Sequence, residues 1–237
     1  MFKRLMDWCV AHHKTTTLAM AAATAALALL AALPSVWPEA FPRLHGVQVD
    51  TDPENMLPAT EHVRVFNNAM KQEFALYDML VVGVVNDRAP DYVFNPATLR
   101  DIHELTEYAK TLRGEVLGKP EDPQAGVIGI DIIAPSTVDN VEQGGLGAVS
   151  FSWLIPEPPA TAEAARAVRD KAMKLPFMKG TLVSEDGQAL ALYLPLSDKH
   201  LSYKVAEKLR EKIAGFASGD TYHITGLPIA EDTFGVE

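Results

Sequence analysis

An acidic turn is the first place in the chain where residue types and spacing could support chemistry. Asp50, Asp52 and Glu54 alternate as the first ligands of an EF-hand calcium loop do, and Glu61 follows further along the chain. The sixth position of such a loop needs glycine for a sharp turn, and Asn55 stands there. We therefore expect no calcium site, but an acidic turn that leads into a helix N-terminus.

The other candidates for catalysis or metal binding do not combine into a motif. Cys9 is the only cysteine, which excludes an intrachain disulfide and a thiolate metal cluster. None of the seven histidines has a ligand spacing such as HExxH, and His103 is expected to face solvent. The chain has no GxSxG, P-loop or GxGxxG motif, and Asp131 and Asp139 form no recognisable pair. The sequence therefore predicts no enzyme, no cofactor and no metal.

The charge distribution argues against nucleic acid as a partner. The formal net charge of the chain is −10, and residues 1–14 carry +2 while residues 15–37 carry none, which leaves −12 on residues 38–237. Such an acidic segment binds phosphate poorly, and no basic stripe with interleaved aromatic residues occurs.

An uncharged run of 23 residues extends from Thr15 to Trp37. As a helix it spans roughly 34 Å, enough for a hydrocarbon core of about 30 Å. Lys3, Arg4 and Lys14 precede it, so the positive-inside rule predicts a cytoplasmic N-terminus and an extracytoplasmic domain over residues 38–237.

The flanks of this run leave two interpretations open. Residues 1–14 have apolar side chains at helical spacing and are expected to lie along the inner membrane surface. A cleaved signal peptide is the alternative, because Ala31 and Ala32 before Leu33 resemble a cleavage region. The run exceeds the about 7–15 residues of the apolar region of a signal peptide, and its aromatic-flanked far end also suits an anchor, so both features favour an uncleaved anchor.

Beyond the membrane helix the sequence predicts an α+β fold. From Ala148 the predicted order is β-α-β-β-α-β, the ferredoxin-like unit, and a β-α-β-α segment precedes it. The glycines at 144–147 predict a flexible turn and a possible subdivision of the domain. The strands are predicted at 45–49, 77–85, 127–133, 148–155, 182–184, 188–196 and 221–225. The helices are predicted around Val63–Phe74, after an Asn95 cap, from 135, over Thr161–Leu175 and after a Ser197 cap. The helix after Asn95 has a predicted apolar stripe of Leu99, Ile102, Leu105, Ala109 and Leu112, and Asp186-Gly187 predicts a hairpin turn before the strand at 188–196.

Three apolar side chains are the candidate substrate path. Phe151, Trp153 and Ile155 alternate along a predicted strand, so they share one face of a sheet. Exposed apolar surface on a sheet marks an interaction site, and a substrate cleft is one interpretation. The other interpretation is that these side chains form the core under the helices at 161–175 and 197–215.

Four stretches of the chain resemble a known transporter family. These are VDTDPENMLP (49–58), APSTVDN (134–140), GTLVSEDGQALALYLPL (180–196) and GLPIAEDTFGVE (226–237). Together they resemble the first periplasmic loop of resistance-nodulation-division (RND) superfamily exporters, in particular the MMPL-type branch. The resemblance covers essentially the whole chain and marks the branch, not the substrate.

The resemblance implies a bacterial inner-membrane protein whose periplasmic porter domain has ferredoxin-like subdomains. The partners implied are the bilayer, the remaining transmembrane helices, a second porter domain, and a hydrophobic or lipid-like substrate moved by a proton-driven cycle. The chain ends on the apolar run 233–237 without a predicted terminal helix, so we expect an N-terminal fragment. The alternatives are a complete membrane-anchored periplasmic binding or scaffold protein and, third, a secreted enzyme.

Overall fold

The computed structural model describes residues 2–37, 40–41, 53–144 and 147–236. The chain divides into two compact units, residues 1–50 and residues 51–237. In the first unit helix α1 spans Phe2–Ala11 and helix α2 spans His13–Val36. Because α2 is long and apolar enough to cross a membrane, the structure confirms a helix of spanning length at the predicted place, which is compatible with membrane anchoring.

The second unit is a mixed α+β domain, as predicted. Its elements in chain order are α3 (His62–Glu73), β1 (Asp78–Val85), α4 (Pro96–Lys110), β2 (Asp139–Gly144), β3 (Ala148–Trp153), α5 (Ala162–Lys174), β4 (Ala189–Leu196), α6 (Ser202–Ile213), β5 (Thr221–Thr225) and α7 (Leu227–Val236). Short 3-10 turns lie at Pro53–Met56, Gly114–Leu117, Gly129–Asp131 and Lys199–Leu201.

Three strands form the central sheet in the order β4-β1-β5. β1 is antiparallel to both neighbours, so β4 and β5 run parallel on either side of it. α6 connects β4 to β5, and this arrangement is a split β-α-β unit.

The core lies between one face of this sheet and two helices. Leu80, Val82 and Val84 of β1 stand directly opposite Leu194, Leu192 and Leu190 of β4, and all six are buried. The predicted stripe of α4 is confirmed, since its apolar positions are fully buried and belong to the same core; they are Leu99, Ile102, Leu105 and Ala109, with Leu112 just beyond the helix. α6 adds Val205 and Leu209.

Local sequence signals place several element ends as predicted. The Asn95 side chain accepts a hydrogen bond from the Thr98 backbone N–H at 3.0 Å, and Pro96 opens α4. Thr161 caps α5 in the same way at 3.2 Å. The turn before β4 closes with a hydrogen bond from Gly187 N to Ser184 O at 3.0 Å, and Gly187 takes a φ of +75° that favours glycine.

Other predictions about the elements are wrong. The predicted strand 127–133 is not continuous, because the turn Gly129–Asp131 interrupts it. No helix begins at 135, where the chain turns, and a strand, β2, follows at once. Ser197 does not cap a helix: its Oγ accepts a hydrogen bond from Gly126 N, and Asp198 caps the turn Lys199–Leu201.

The two ends of the second unit also differ from expectation. A terminal helix, α7, lies where none was predicted. α3 confirms the predicted helix, but none of its residues is buried in the described structure. Val63 and Phe66 of α3 are exposed, and so is Phe74 just beyond the helix. The predicted strand at 45–49 and the calcium-like residues Asp50 and Asp52 lie outside the described residues.

Strand β3 is not part of the central sheet. It pairs antiparallel with β2 in a separate two-stranded sheet, so the three-stranded sheet begins with β1 and not with the strand at Ala148. The prediction that the strand from Ala148 opens a single β-α-β-β-α-β sheet is wrong in this respect. β2 and β3 instead form a hairpin that ends where Leu154 and Ile155 enter the core.

Candidate functional site

One face of the β2–β3 hairpin is apolar and exposed. Residues directly opposite each other in an antiparallel pair lie on the same face, and Phe151 stands opposite Val141. Val149 and Trp153 share this face because they stand two residues to either side of Phe151. All four side chains are exposed, and we call Val141, Val149, Phe151 and Trp153 the apolar hairpin face. The exposed Asp139, opposite Trp153, lies at the end of the same face.

The structure separates the three candidate residues of the substrate path. Phe151 is 72% exposed and Trp153 is 52% exposed, whereas Ile155 is 1% exposed and lies in the core. The core interpretation is therefore confirmed for Ile155 and wrong for Phe151 and Trp153. The latter two lie together on the apolar hairpin face, and a role in a substrate path stays a prediction for both.

β3 is exposed along its length, but the two residues that follow it are buried, because a backbone hydrogen bond and core packing hold the chain there. Leu154 N donates a hydrogen bond to Val138 O at 3.0 Å, and the side chains of Leu154 and Ile155 are buried. Trp153 is the last residue before this anchor and stays at the surface. Its position is therefore set by backbone and core packing.

A cavity of about 330 Å³ opens beside Trp153. Its volume lies at the lower end of ligand pockets, which run from about 300 to 1,000 Å³. Its wall combines charged, hydroxyl and apolar side chains: His103, Glu107, Lys110, Gly129, Ile130, Ser136, Thr137, Trp153 and Pro156. The cavity therefore has a polar side and an apolar side, and Trp153 belongs to the apolar one.

Helix α4 supplies the charged wall. His103, Glu107 and Lys110 are spaced by four and three residues, which places them on one helical face. Lys110 Nζ donates to Glu107 Oε1 at 2.5 Å. His103, which was expected to face solvent, is half-buried and lines the cavity. A polar face at this spacing was the signal in the sequence that could have identified the wall.

Two irregular segments supply another part of the cavity wall. The 3-10 turn contributes Gly129 and Ile130, and the turn at 134–138 contributes Ser136 and Thr137. Thr137 holds its turn closed, since its Oγ1 donates to Ile132 O at 2.6 Å and accepts from Ala134 N at 2.9 Å. The Ser136 hydroxyl is buried and has no hydrogen-bond partner among the described residues.

Away from the cavity, a hydrogen-bond network around Asp220 has a structural role. Asp220 Oδ1 accepts hydrogen bonds from Asn86 Nδ2 at 2.6 Å and from Thr98 Oγ1 at 2.9 Å, which joins β1, α4 and the start of β5. Burial raises the pKa of the nearby Tyr222 hydroxyl well above its usual range. These contacts fasten the sheet to α4.

Known families and curated proteins supply no relative of this chain: no known protein family matches it, and no curated protein does. The resemblance to RND exporters therefore rests on the four sequence stretches and stays a prediction.

Proposed function

We propose that this chain is the N-terminal part of a proton-driven RND/MMPL-type exporter of hydrophobic or lipid-like substrates. In this proposal α2 anchors the chain in the bacterial inner membrane with the N-terminus in the cytoplasm. The second unit is the periplasmic porter domain, and the energy-coupling residues lie on later membrane helices. The remaining helices and the second porter domain are the partners that complete the machine.

The observation that carries the proposal is the apolar hairpin face beside a cavity. Contiguous exposed apolar surface on a folded domain marks a site of interaction with an apolar partner or ligand. Here Phe151 and Trp153 stand side by side on such a surface, and Trp153 also lines the cavity. A hydrophobic substrate would contact both the apolar hairpin face and the cavity beside Trp153.

The fold supports the porter assignment in a more general way. The split β-α-β unit of β4, α6 and β5 around β1 is the arrangement from which a ferredoxin-like subdomain is built. A ferredoxin-like porter subdomain would need a further strand on the free side of β4. Among the described residues Val183 forms an isolated antiparallel bridge with Leu190 on that side, which is less than a full strand.

Site-specific photo-crosslinking in living bacteria tests the proposal. A benzophenone amino acid replaces Phe151 in one variant and the exposed Val116, in the turn Gly114–Leu117, in a matched control. We expect lipid-like adducts at position 151, identified by mass spectrometry, at several times the yield at position 116. Equal yields, or adducts only with proteins at position 151, would refute a hydrophobic substrate path and favour the membrane-anchored scaffold.

A further inference from the structure

We propose that the cavity beside Trp153 binds the oxyanion head group, a carboxylate or a phosphate, of a single-chain amphiphile whose tail lies on the apolar hairpin face. This inference rests on the proposed function, because it identifies the polar end of a molecule on the same path.

Three side chains of the cavity lining can donate hydrogen bonds to a ligand. The Lys110 ammonium has three N–H donors, and Glu107 takes one of them at 2.5 Å. The Ser136 hydroxyl is buried without a partner among the described residues, and His103 adds a ring N–H. Charge-assisted hydrogen bonds to an anionic oxygen are the strongest use of such donors.

Two cations beside the cavity also favour an anion. Besides Lys110, the guanidinium of Arg113 lies against the Gly129 wall, 3.2 Å from where a Cβ on Gly129 would stand. Arg113 is held there because its Nε donates to Val127 O at 2.8 Å. Against these two cations stand the carboxylates of Glu107, of Asp131 at the end of the turn Gly129–Asp131, and of Asp139 opposite Trp153. The two cations, and not a net positive charge of the surroundings, are therefore what favours an anion here.

The size of the cavity limits what it can hold. At about 330 Å³ it accommodates a head group and the first carbons of a chain, but not a long tail. The tail has an exit, because Trp153 and Phe151 are two residues apart on one strand face, roughly 7 Å along the strand. Trp153 therefore belongs both to the cavity lining and to the apolar hairpin face.

Contact quenching of Trp153 by brominated amphiphiles tests the inference. The full chain with Trp8→Phe and Trp37→Phe, reconstituted in lipid nanodiscs, leaves Trp153 as the only indole. Three probes of equal chain length, each brominated at the fifth carbon so that the bromine lies near the head group and Trp153, are compared, namely dodecanoate, dodecanol and dodecyltrimethylammonium. Dodecyl phosphate and inorganic phosphate are competitors that distinguish an amphiphile from a free anion.

We expect saturable quenching by the bromododecanoate at a concentration about tenfold below that of the alcohol, although the acidic domain as a whole repels anions. Lys110→Met should weaken the anionic probe about tenfold and leave the alcohol unchanged. Glu107→Gln should tighten the anionic probe, because it frees Lys110, and a purely structural role for this pair would not have that effect. Lys174→Met, at an exposed lysine ending α5, is the matched control.

The outcomes separate this inference from the proposed function. Saturable quenching by all three probes with no response to Lys110→Met would overturn the oxyanion site and leave the role of the apolar hairpin face in place. No saturable quenching by any probe would count against that role as well. Competition by inorganic phosphate as strong as that by dodecyl phosphate would overturn the assignment to an amphiphile.

Discussion

Replacing Ile155 and Phe151 separately by alanine should have very different effects on stability, although the sequence places both side chains on the same face of one predicted strand. Ile155 is 1% exposed and packs in the core, and Ile→Ala changes at such sites cost about 2–5 kcal/mol. Phe151 is 72% exposed, so little more than a quarter of its ring leaves water on folding. At roughly 50 Å² and 25 cal/mol per Å², Phe151→Ala should cost at most about 1.2 kcal/mol.

Urea denaturation of the full chain in a mild non-ionic detergent measures both changes in the free energy of unfolding. Circular dichroism and tryptophan emission should give coincident midpoints if the domain unfolds in one step. Ile155→Val is the conservative control and should cost about 0.5–1.5 kcal/mol. A cost for Phe151→Ala equal to that for Ile155→Ala would show that Phe151 is core, and the hairpin face would lose its main member.

Three further predictions concern topology, backbone and titration. A reporter active only outside the cytoplasm should be active when fused after Ser197 and inactive when fused after His12; the reverse pattern would refute the orientation. Gly126→Ala should lower the free energy of unfolding by at least about 2 kcal/mol, because φ is +133° and a Cβ would stand 2.3 Å from Leu112 O. The control Gly129→Ala meets only side-chain atoms and should cost under about 0.5 kcal/mol in the same urea assay. Because burial raises the folded-state pKa of Tyr222, its contribution to stability is complete below the unfolded value of about 10 and is lost as the pH rises above it. Tyr222→Phe should therefore flatten the loss of stability between about pH 9 and pH 11, and an unchanged slope would contradict the burial.

The sequence predicts elements best where the signal is local. The Asn95 cap, the α4 stripe and the Gly187 turn depend on a few neighbouring residues, and all three are confirmed. β2 was missed because DNVEQG contains one β-branched residue and several residues that are rare in strands. Its strand geometry comes from pairing with β3, which no local pattern contains.

The apolar stripe of α3 shows a second limit of sequence patterns. A period of 3.6 residues identifies the helix, but it does not identify what covers the stripe. Val63 and Phe66 are exposed in the described structure although their spacing is that of a buried face. The same limit applied to Phe151 and Trp153, whose alternation on β3 fitted a core strand as well as an open one.

The cavity itself depends on a mismatch in strand pairing. Val127 pairs with Leu196 and Ile133 pairs with Tyr193. The six-residue advance from 127 to 133 therefore faces an advance of only three residues on β4. The extra residues must leave the ladder, and they do so as the turn Gly129–Asp131, in which Ile130 is 90% exposed. The β-branched residues of 127–133 predicted a continuous strand, and a continuous strand would have placed no turn opposite α4. The candidate site therefore lies where local propensity and tertiary pairing disagree, and this disagreement is why the part of its wall formed by the turn Gly129–Asp131 could not be predicted from the sequence.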